Sequence, residues 1–208
     1  MKCDYRLYLV TDREILKGRD LLQAVEEALS GGVTLVQLRE KDASSREFYQ
    51  LAVSMKNLTA EYGVPLIIND RLDIALAVQA DGIHIGQDDL PLPVARKLLG
   101  PDKIIGYSVS NVEEACYGEK HGADYLGAGP VFTTATKKVS TPTLGPAGLK
   151  RIKETVSIPV VGIGGINLEN IKEVRSTGVD GVSIVSGILG SDRPGHTALL
   201  IRRMWDNG

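Results

Sequence analysis

Pro159-Val160-Val161-Gly162-Ile163-Gly164-Gly165-Ile166-Asn167 is a short apolar run that breaks on two adjacent glycines. Further on, Gly181-Val182-Ser183-Ile184-Val185-Ser186-Gly187 repeats the arrangement, an apolar run followed by a hydroxyl and a glycine. Runs of Val and Ile suit parallel strands buried on both faces. A glycine just past such a strand lets backbone N–H groups approach an oxyanion closely, and a helix starting there adds a positive dipole end. Barrels of alternating strands and helices often bind phosphate between their seventh and eighth loops. The spacing is not that of a dinucleotide fingerprint.

Working outward from these two runs, six more lie upstream: Tyr5–Val10, Thr34–Leu38, Pro65–Ile68, Gly82–Ile85, Ile104–Tyr107 and Tyr125–Ala128. With Pro159–Gly162 and Gly181–Val185 they make eight. Helical patterns separate them. Leu21, Leu22, Val25, Ala28 and Leu29 form one stripe, and Phe48, Leu51, Ala52, Met55 and Leu58 another. Ser44 or Ser45 introduces the second, with Glu47 placed for a capping box. Val94, Ala95, Leu98 and Leu99 form a third, ended by Gly100. Ser110 or Asn111 can cap a fourth, and Asn167 is expected to cap a later one.

Helix-to-strand joints recur as Gly31-Gly32-Val33-Thr34, Tyr62-Gly63-Val64-Pro65, Ala80-Asp81-Gly82-Ile83, His121-Gly122-Ala123-Asp124 and Thr177-Gly178-Val179-Asp180. Their glycines suit left-handed helix ends. The pattern predicts an α/β fold, a (β/α)8 barrel formed by one domain over residues 1–208. A doubly wound open sheet is the competing fold, and no reversal point in the strand order favours it. The one irregular stretch is Thr133–Gly148, long for a loop of this kind.

Composition agrees. The 208 residues are 43% hydrophobic but only 5% aromatic, so aliphatic side chains must fill the core. A net charge of −2 and a pI near 6.0 leave no basic stripe for nucleic acid. No apolar run approaches the roughly 20 residues of a bilayer span. Cys3 and Cys116 are two lone thiols, Cys116 expected to pack in a helix, and with no signal-peptide shape at the N-terminus the expected setting is the reducing cytoplasm. A homo-oligomer is left open.

A parallel barrel carries its chemistry just past the C-terminal ends of its strands. After the second run, alternation places Gln37, Arg39 and Lys41 on one side, a neutral amide and two cations suited to phosphate oxygens. A solvated salt-bridge patch with Glu40 and Asp42 is the plainer alternative. Past the third and fourth runs stand Asn69-Asp70 and Asp88-Asp89. Carboxylates at adjacent strand ends can share magnesium, which keeps its waters and takes phosphate oxygens as further ligands. Helix capping could also explain either pair. Ser108 follows the fifth run, and Thr133-Thr134-Ala135-Thr136-Lys137-Lys138 follows the sixth, hydroxyls and ammonium groups able to close on an anion. Gly164-Gly165 with Val185-Ser186-Gly187 form a second, metal-free anion site. Two phosphorylated substrates, or one with two ends, are implied. His84 sits inside a strand and reads as core or as support for the site, while His121 and His196 fall on solvated helix positions.

Taken together, Tyr8-Leu9-Val10-Thr11-Asp12, Gln37-Leu38-Arg39-Glu40-Lys41, Ile68-Asn69-Asp70-Arg71, His84-Ile85-Gly86-Gln87-Asp88-Asp89, Gly127–Phe132 with Thr134–Lys138, and Val161–Ile166 resemble the thiamine phosphate synthase family over nearly the whole chain. The resemblance implies coupling of a hydroxymethylpyrimidine diphosphate with a thiazole phosphate. It implies Asp70 and Asp89 as Mg2+ ligands, and Arg39, Lys41, Asn69 and Lys137 on the diphosphate. It implies Gln37 and Ser108 on the pyrimidine, and Thr134, Thr136, Gly165, Val185 and Ser186 on the thiazole phosphate. Arg39, Lys41, Ser108 and Lys137 would be the catalytic groups. The family often has proline where this chain has Thr133. A thiazole tautomerase on the same barrel is the alternative; that group generally lacks the paired carboxylates.

Overall fold

The computed structural model describes residues 3–134 and 142–207. Among them, eight parallel strands close in chain order: β1 (Leu7–Val10), β2 (Leu35–Leu38), β3 (Leu66–Asn69), β4 (Gly82–Ile85), β5 (Ile104–Val109), β6 (Tyr125–Ala128), β7 (Val160–Ile163) and β8 (Gly181–Ile184). β8 pairs with β1, Tyr8 opposite Ser183, so the open-sheet alternative is excluded. Outside lie α1 (Leu21–Ser30), α2 (Ser45–Glu61), α3 (Leu72–Ala77), α4 (Leu92–Leu99), α5 (Val112–Lys120), α6 (Gly145–Thr155) and α7 (Ile171–Arg175), followed by the short α8 (Ser186–Leu189) and a final α9 (Pro194–Asp206).

Two separate packings hold these layers. Outward strand residues such as Leu7, Leu9, Leu38, Ile68 and Leu126 meet the apolar stripes of the helices, including Val25, Phe48 and Met55. Inside the barrel a smaller set, Tyr5, Tyr8, Leu35, Ile67, Tyr125 and Val161, plugs the lower interior, with Cys3 and Ile104 against it. Burying one such side chain contributes roughly 1.5–3 kcal/mol. α2 starts on Ser44, whose hydroxyl accepts from the Glu47 amide while Glu47 reaches back to the Ser44 amide. That capping box contributes about 1 kcal/mol.

The repeated joints acquire a physical meaning at the foot of the barrel. Asp81 Oδ2 accepts from the Leu66 amide at 2.7 Å, Asp124 Oδ2 from the Ile105 amide at 2.7 Å, and Asp180 Oδ2 from the Val160 amide at 2.8 Å. Each also meets a cation from the helix before that strand: Lys56, Arg96 or Lys153. Thr34 does the same for the Leu7 amide through its hydroxyl. The four clamps stand at the feet of β2, β4, β6 and β8, so the repeating unit is a pair of βα units. Tyr62–Pro65 belongs to an odd strand and has no clamp; the Pro65 carbonyl accepts from Val36 instead.

Some local expectations need correction. Val94 and Leu98 are exposed, and α4 packs through Leu92 and Ala95. Cys116 is exposed on α5 rather than packed, because the buried face of that helix is Ala115 and Gly118. Asn167 caps the Glu169 amide within a turn, and α7 begins only at Ile171. In Ala80-Asp81-Gly82-Ile83 the left-handed residue is Gln79, while Gly82 lies in β4 against the Ile104 carbonyl. α6 begins at Gly145, inside the stretch read as irregular. Among the described residues no helix is long and apolar enough to cross a membrane.

Candidate active site

At the mouth, β3 ends on Asn69, and the chain turns at once. Asp70 adopts a left-handed conformation, φ 60°, while its amide still bonds the His84 carbonyl at 2.9 Å. Aspartate tolerates that region better than most residues. The turn faces the Asp70 carboxyl toward Asp89, which the β4–α4 loop holds by a 2.7 Å bond from the Gly86 amide to Asp89 Oδ2. The two carboxyls interact directly. Burial first, then the charge of Asp89, pushes Asp70 up to about 6, while Asn69 and Arg39 pull the other way.

Helix capping does not account for these acids. Neither α3 nor α4 has a side-chain cap, so Asn69, Asp70, Asp88 and Asp89 cap no helix there. The salt-bridge patch also fails as expected, since Glu40 pairs with Arg13 and Arg39 with Asp12 at 3.5 Å. Arg39 is further fixed through its amide, which donates to Thr11 Oγ1 at 3.0 Å. β2 ends at Leu38, so strict alternation does not carry to Lys41. Lys41 is exposed on the wall of a cleft of about 650 Å³ shared with Asp12, Arg39 and Glu47.

The donor set suits a hard cation completed by substrate. Two neighbouring carboxylates repel each other, and among the described residues no cluster of three or more metal-ligating side chains surrounds them. Magnesium is commonly held by one or two carboxylates with waters and phosphate oxygens. A zinc site would need three or four protein ligands, with His or Cys among them.

Below these acids the interior is polar in one continuous line. Gln37 Nε2 donates to Tyr8 Oη at 2.6 Å, and Tyr8 Oη meets Tyr125 Oη at 2.7 Å. Tyr125 Oη meets His84 Nδ1 at 2.9 Å, and His84 Nε2 meets Ser108 Oγ at 2.9 Å. β5 runs to Val109, so Ser108 is an inward strand residue rather than a loop residue. Burial holds the Tyr8 and Tyr125 phenols well above their usual range, which keeps them protonated. Gly106 makes room for the line: a Cβ there would lie 2.1 Å from the Tyr125 ring and 2.4 Å from His84 Nδ1.

Across the mouth, Gly164 and Gly165 have φ of 96° and 67°. A Cβ on Gly165 would strike the Thr133 carbonyl at 2.7 Å, because the β6 loop lies on this turn through Val131 and Phe132 amide bonds. Loop packing is thus a second reason for these glycines. α8 opens at Ser186 directly after Val185, turning its first amides toward the same rim. Thr136 and Lys137 lie outside the described residues.

The strand-end rule could have found one residue it did not name. Asp12 follows the first apolar run, is buried, and holds both Arg39 and the Glu14 amide. Tyr8 and Tyr125 carried no comparable signal, since each reads as ordinary strand filling until the register is known, and His84, read as core or as support for the site, bonds Tyr125 and Ser108.

A family model described as thiamine monophosphate synthase matches residues 7–188. The chain is 57% identical to the thiamine-phosphate synthase of Desulfitobacterium hafniense (strain Y51) over 207 residues, covering 100% of both. It is 56% identical to that of Syntrophomonas wolfei over 203 residues, covering 98% of this chain and 97% of the relative. Among solved structures, the thiamine phosphate pyrophosphorylase from Pyrococcus furiosus superposes with a TM-score of 0.90 at 42% identity, covering 98% and 96% of the two chains.

Proposed function

The chain belongs to the thiamine monophosphate synthase family, and from that premise we propose that it joins 4-amino-2-methyl-5-(diphosphooxymethyl)pyrimidine to a thiazole phosphate, giving thiamine phosphate and diphosphate. It is a transferase. The carrying observation is the Asp70–Asp89 pair beside Arg39 in a chain that matches its relatives from end to end. The thiazole tautomerase reading has no use for that pair.

In this reading Asp70 and Asp89 hold Mg2+, which when bound offsets negative charge on the diphosphate. Arg39, steadied by Asp12 and Thr11, presents a planar fork to the leaving oxygens, with Lys41, Asn69 and Lys137 as further donors. The C–O bond to diphosphate breaks with its electron pair going to the leaving oxygen. The electron-rich ring stabilises the methylene cation left behind, and the thiazole nitrogen closes the new C–N bond with its own lone pair. No proton has to be removed from that nitrogen, so no general base is required. Gln37 and Ser108 seat the pyrimidine, and Thr134, Thr136, Gly165, Val185 and Ser186 hold the thiazole phosphate. The two small-molecule substrates are the partners, the cytoplasm is the setting, and a homo-oligomer is compatible with the chemistry.

Diphosphate release measured with both substrates, with either alone, and with a chelator tests the proposal. Release only with both substrates and magnesium is expected. Metal-independent turnover of a thiazole phosphate alone, without diphosphate release, would overturn it in favour of the tautomerase.

A further inference from the structure

The interior line of hydrogen bonds has a direction. An amide nitrogen only donates, so Tyr8 Oη accepts from Gln37 Nε2, which leaves its own proton available to Tyr125 Oη. If the line continues in that sense, Tyr125 donates to His84 Nδ1. A neutral imidazole that accepts at Nδ1 carries its proton on Nε2, and that proton meets Ser108 Oγ. Ser108 has therefore accepted within the protein, and its hydroxyl proton is left for a group above the strand ends. At the other end, Gln37 Oε1 accepts no hydrogen bond from the described residues. It is not one of the sealed polar atoms that lack a partner, which are on Glu40 and Ser183, so it looks onto accessible space.

We propose that Tyr8, Tyr125 and His84 are positioning residues that lock Gln37 and Ser108 into a matched acceptor and donor, and so select an aminopyrimidine over its oxo counterpart. This rests on the pyrimidine seat assigned above. An aminopyrimidine offers an amino N–H beside a ring-nitrogen lone pair, which Gln37 Oε1 and the Ser108 hydroxyl complement. The oxo form offers a carbonyl beside a ring N–H, the opposite pattern. Binding it would require the Gln37 amide to turn over, so that Tyr8 gives its proton to Gln37 and no longer to Tyr125. The coupling is structural as well as electronic, because Gly106 leaves the space in which Tyr125 and His84 meet.

The test compares kcat/KM for the amino substrate and its oxo analogue in the wild type and in Tyr125→Phe. The variant removes one oxygen and keeps the ring that packs on Tyr5 and Tyr8. Phenylalanine interrupts the line, so the preference for the amino substrate should fall about tenfold or more, the worth of roughly one oriented hydrogen bond. Equal losses for both substrates, or no loss, would overturn the proposal. Nitrogen NMR of His84 in the wild type is the second measurement and needs no turnover. Protonation at Nε2 with bare Nδ1 is expected, and the reverse tautomer overturns the stated direction. A wild type that releases no diphosphate at all would instead refute the function proposed above, leaving the tautomer measurement to stand by itself.

Discussion

At the foot of the barrel, Asp81, Asp124 and Asp180 each receive a strand amide and a Lys or Arg. At the mouth, Asp70 and Asp89 face each other, and Asp70 is pushed up to about 6 by burial and by its neighbour's charge. The residue type is the same; the difference is how far the charge is answered from within the chain. Below, every carboxylate finishes a structural contact. Above, among the described residues, Gly86 gives Asp89 a backbone donor and Asn69 and Arg39 answer Asp70 only in part, since its net shift is upward. Unanswered charge at one end of an otherwise satisfied barrel separates function from architecture more sharply than residue identity does.

The contrast breaks most visibly if the two faces are exchanged by mutation. Asp70→Asn or Asp89→Asn should lower magnesium-dependent kcat by about a thousandfold, the upper range for losing a charge-stabilising group, while the melting temperature holds or rises. Steady-state kinetics and calorimetry on one preparation decide this; a large loss of stability with activity retained would reverse the assignment of faces. Asp124→Ala should do the opposite. It strands the Ile105 amide and removes the ion pair of Arg96, which keeps its carbonyl partners, and should cost about 1–3 kcal/mol in urea unfolding, with kcat unchanged at temperatures where the protein is folded.

A smaller effect sharpens the division within the mouth. Ser186→Ala should raise the KM for the thiazole phosphate about fivefold and leave kcat nearly alone, as expected for a contact made equally in ground and transition states. An unchanged KM would place the second phosphate elsewhere. The smallest effect is the pH dependence of the chelator-treated protein. Asp70 binds its proton more tightly folded than unfolded, so this group favours folding at low pH. That contribution is complete below the ordinary value near 3.8 and is lost as pH rises through about 6. After allowance for the part of the carboxyl that water reaches, unfolding should become easier by about 1 kcal/mol between pH 4 and 7. Asp89→Asn should flatten that slope, and magnesium affinity should run the other way, rising with pH over the same interval.

The barrel was readable because eight apolar runs separated by amphipathic stripes carry two different periods, which survive without any knowledge of contacts. The acids were readable for a related reason: Asp70 and Asp89 follow their runs directly, and position after a strand is a sequence property. Lys41 was only half readable, since β2 stops at Leu38 and alternation loses its meaning beyond a strand end. The foot clamps were visible as repeated phrases, yet their two-unit period appears only when Thr34 and Asp81 are seen to reach the preceding strand. The line from Gln37 to Ser108 was not readable. It joins five strands, and the bonds of Tyr8, Tyr125 and His84 depend on a register that no single strand encodes.

The tyrosine plug has a consequence for traffic. Tyr5, Tyr8 and Tyr125 close the barrel from below, making it a blind well whose one doorway is the ring of strand ends. If the pyrimidine seats on Gln37 and Ser108 as proposed, it has to arrive before its co-substrate covers it. The joined product and the departing diphosphate leave by the doorway through which fresh substrate comes. A queue at a single doorway makes sequence of arrival a property of the architecture, and inhibition by added diphosphate is the rate measurement in which that queue should show.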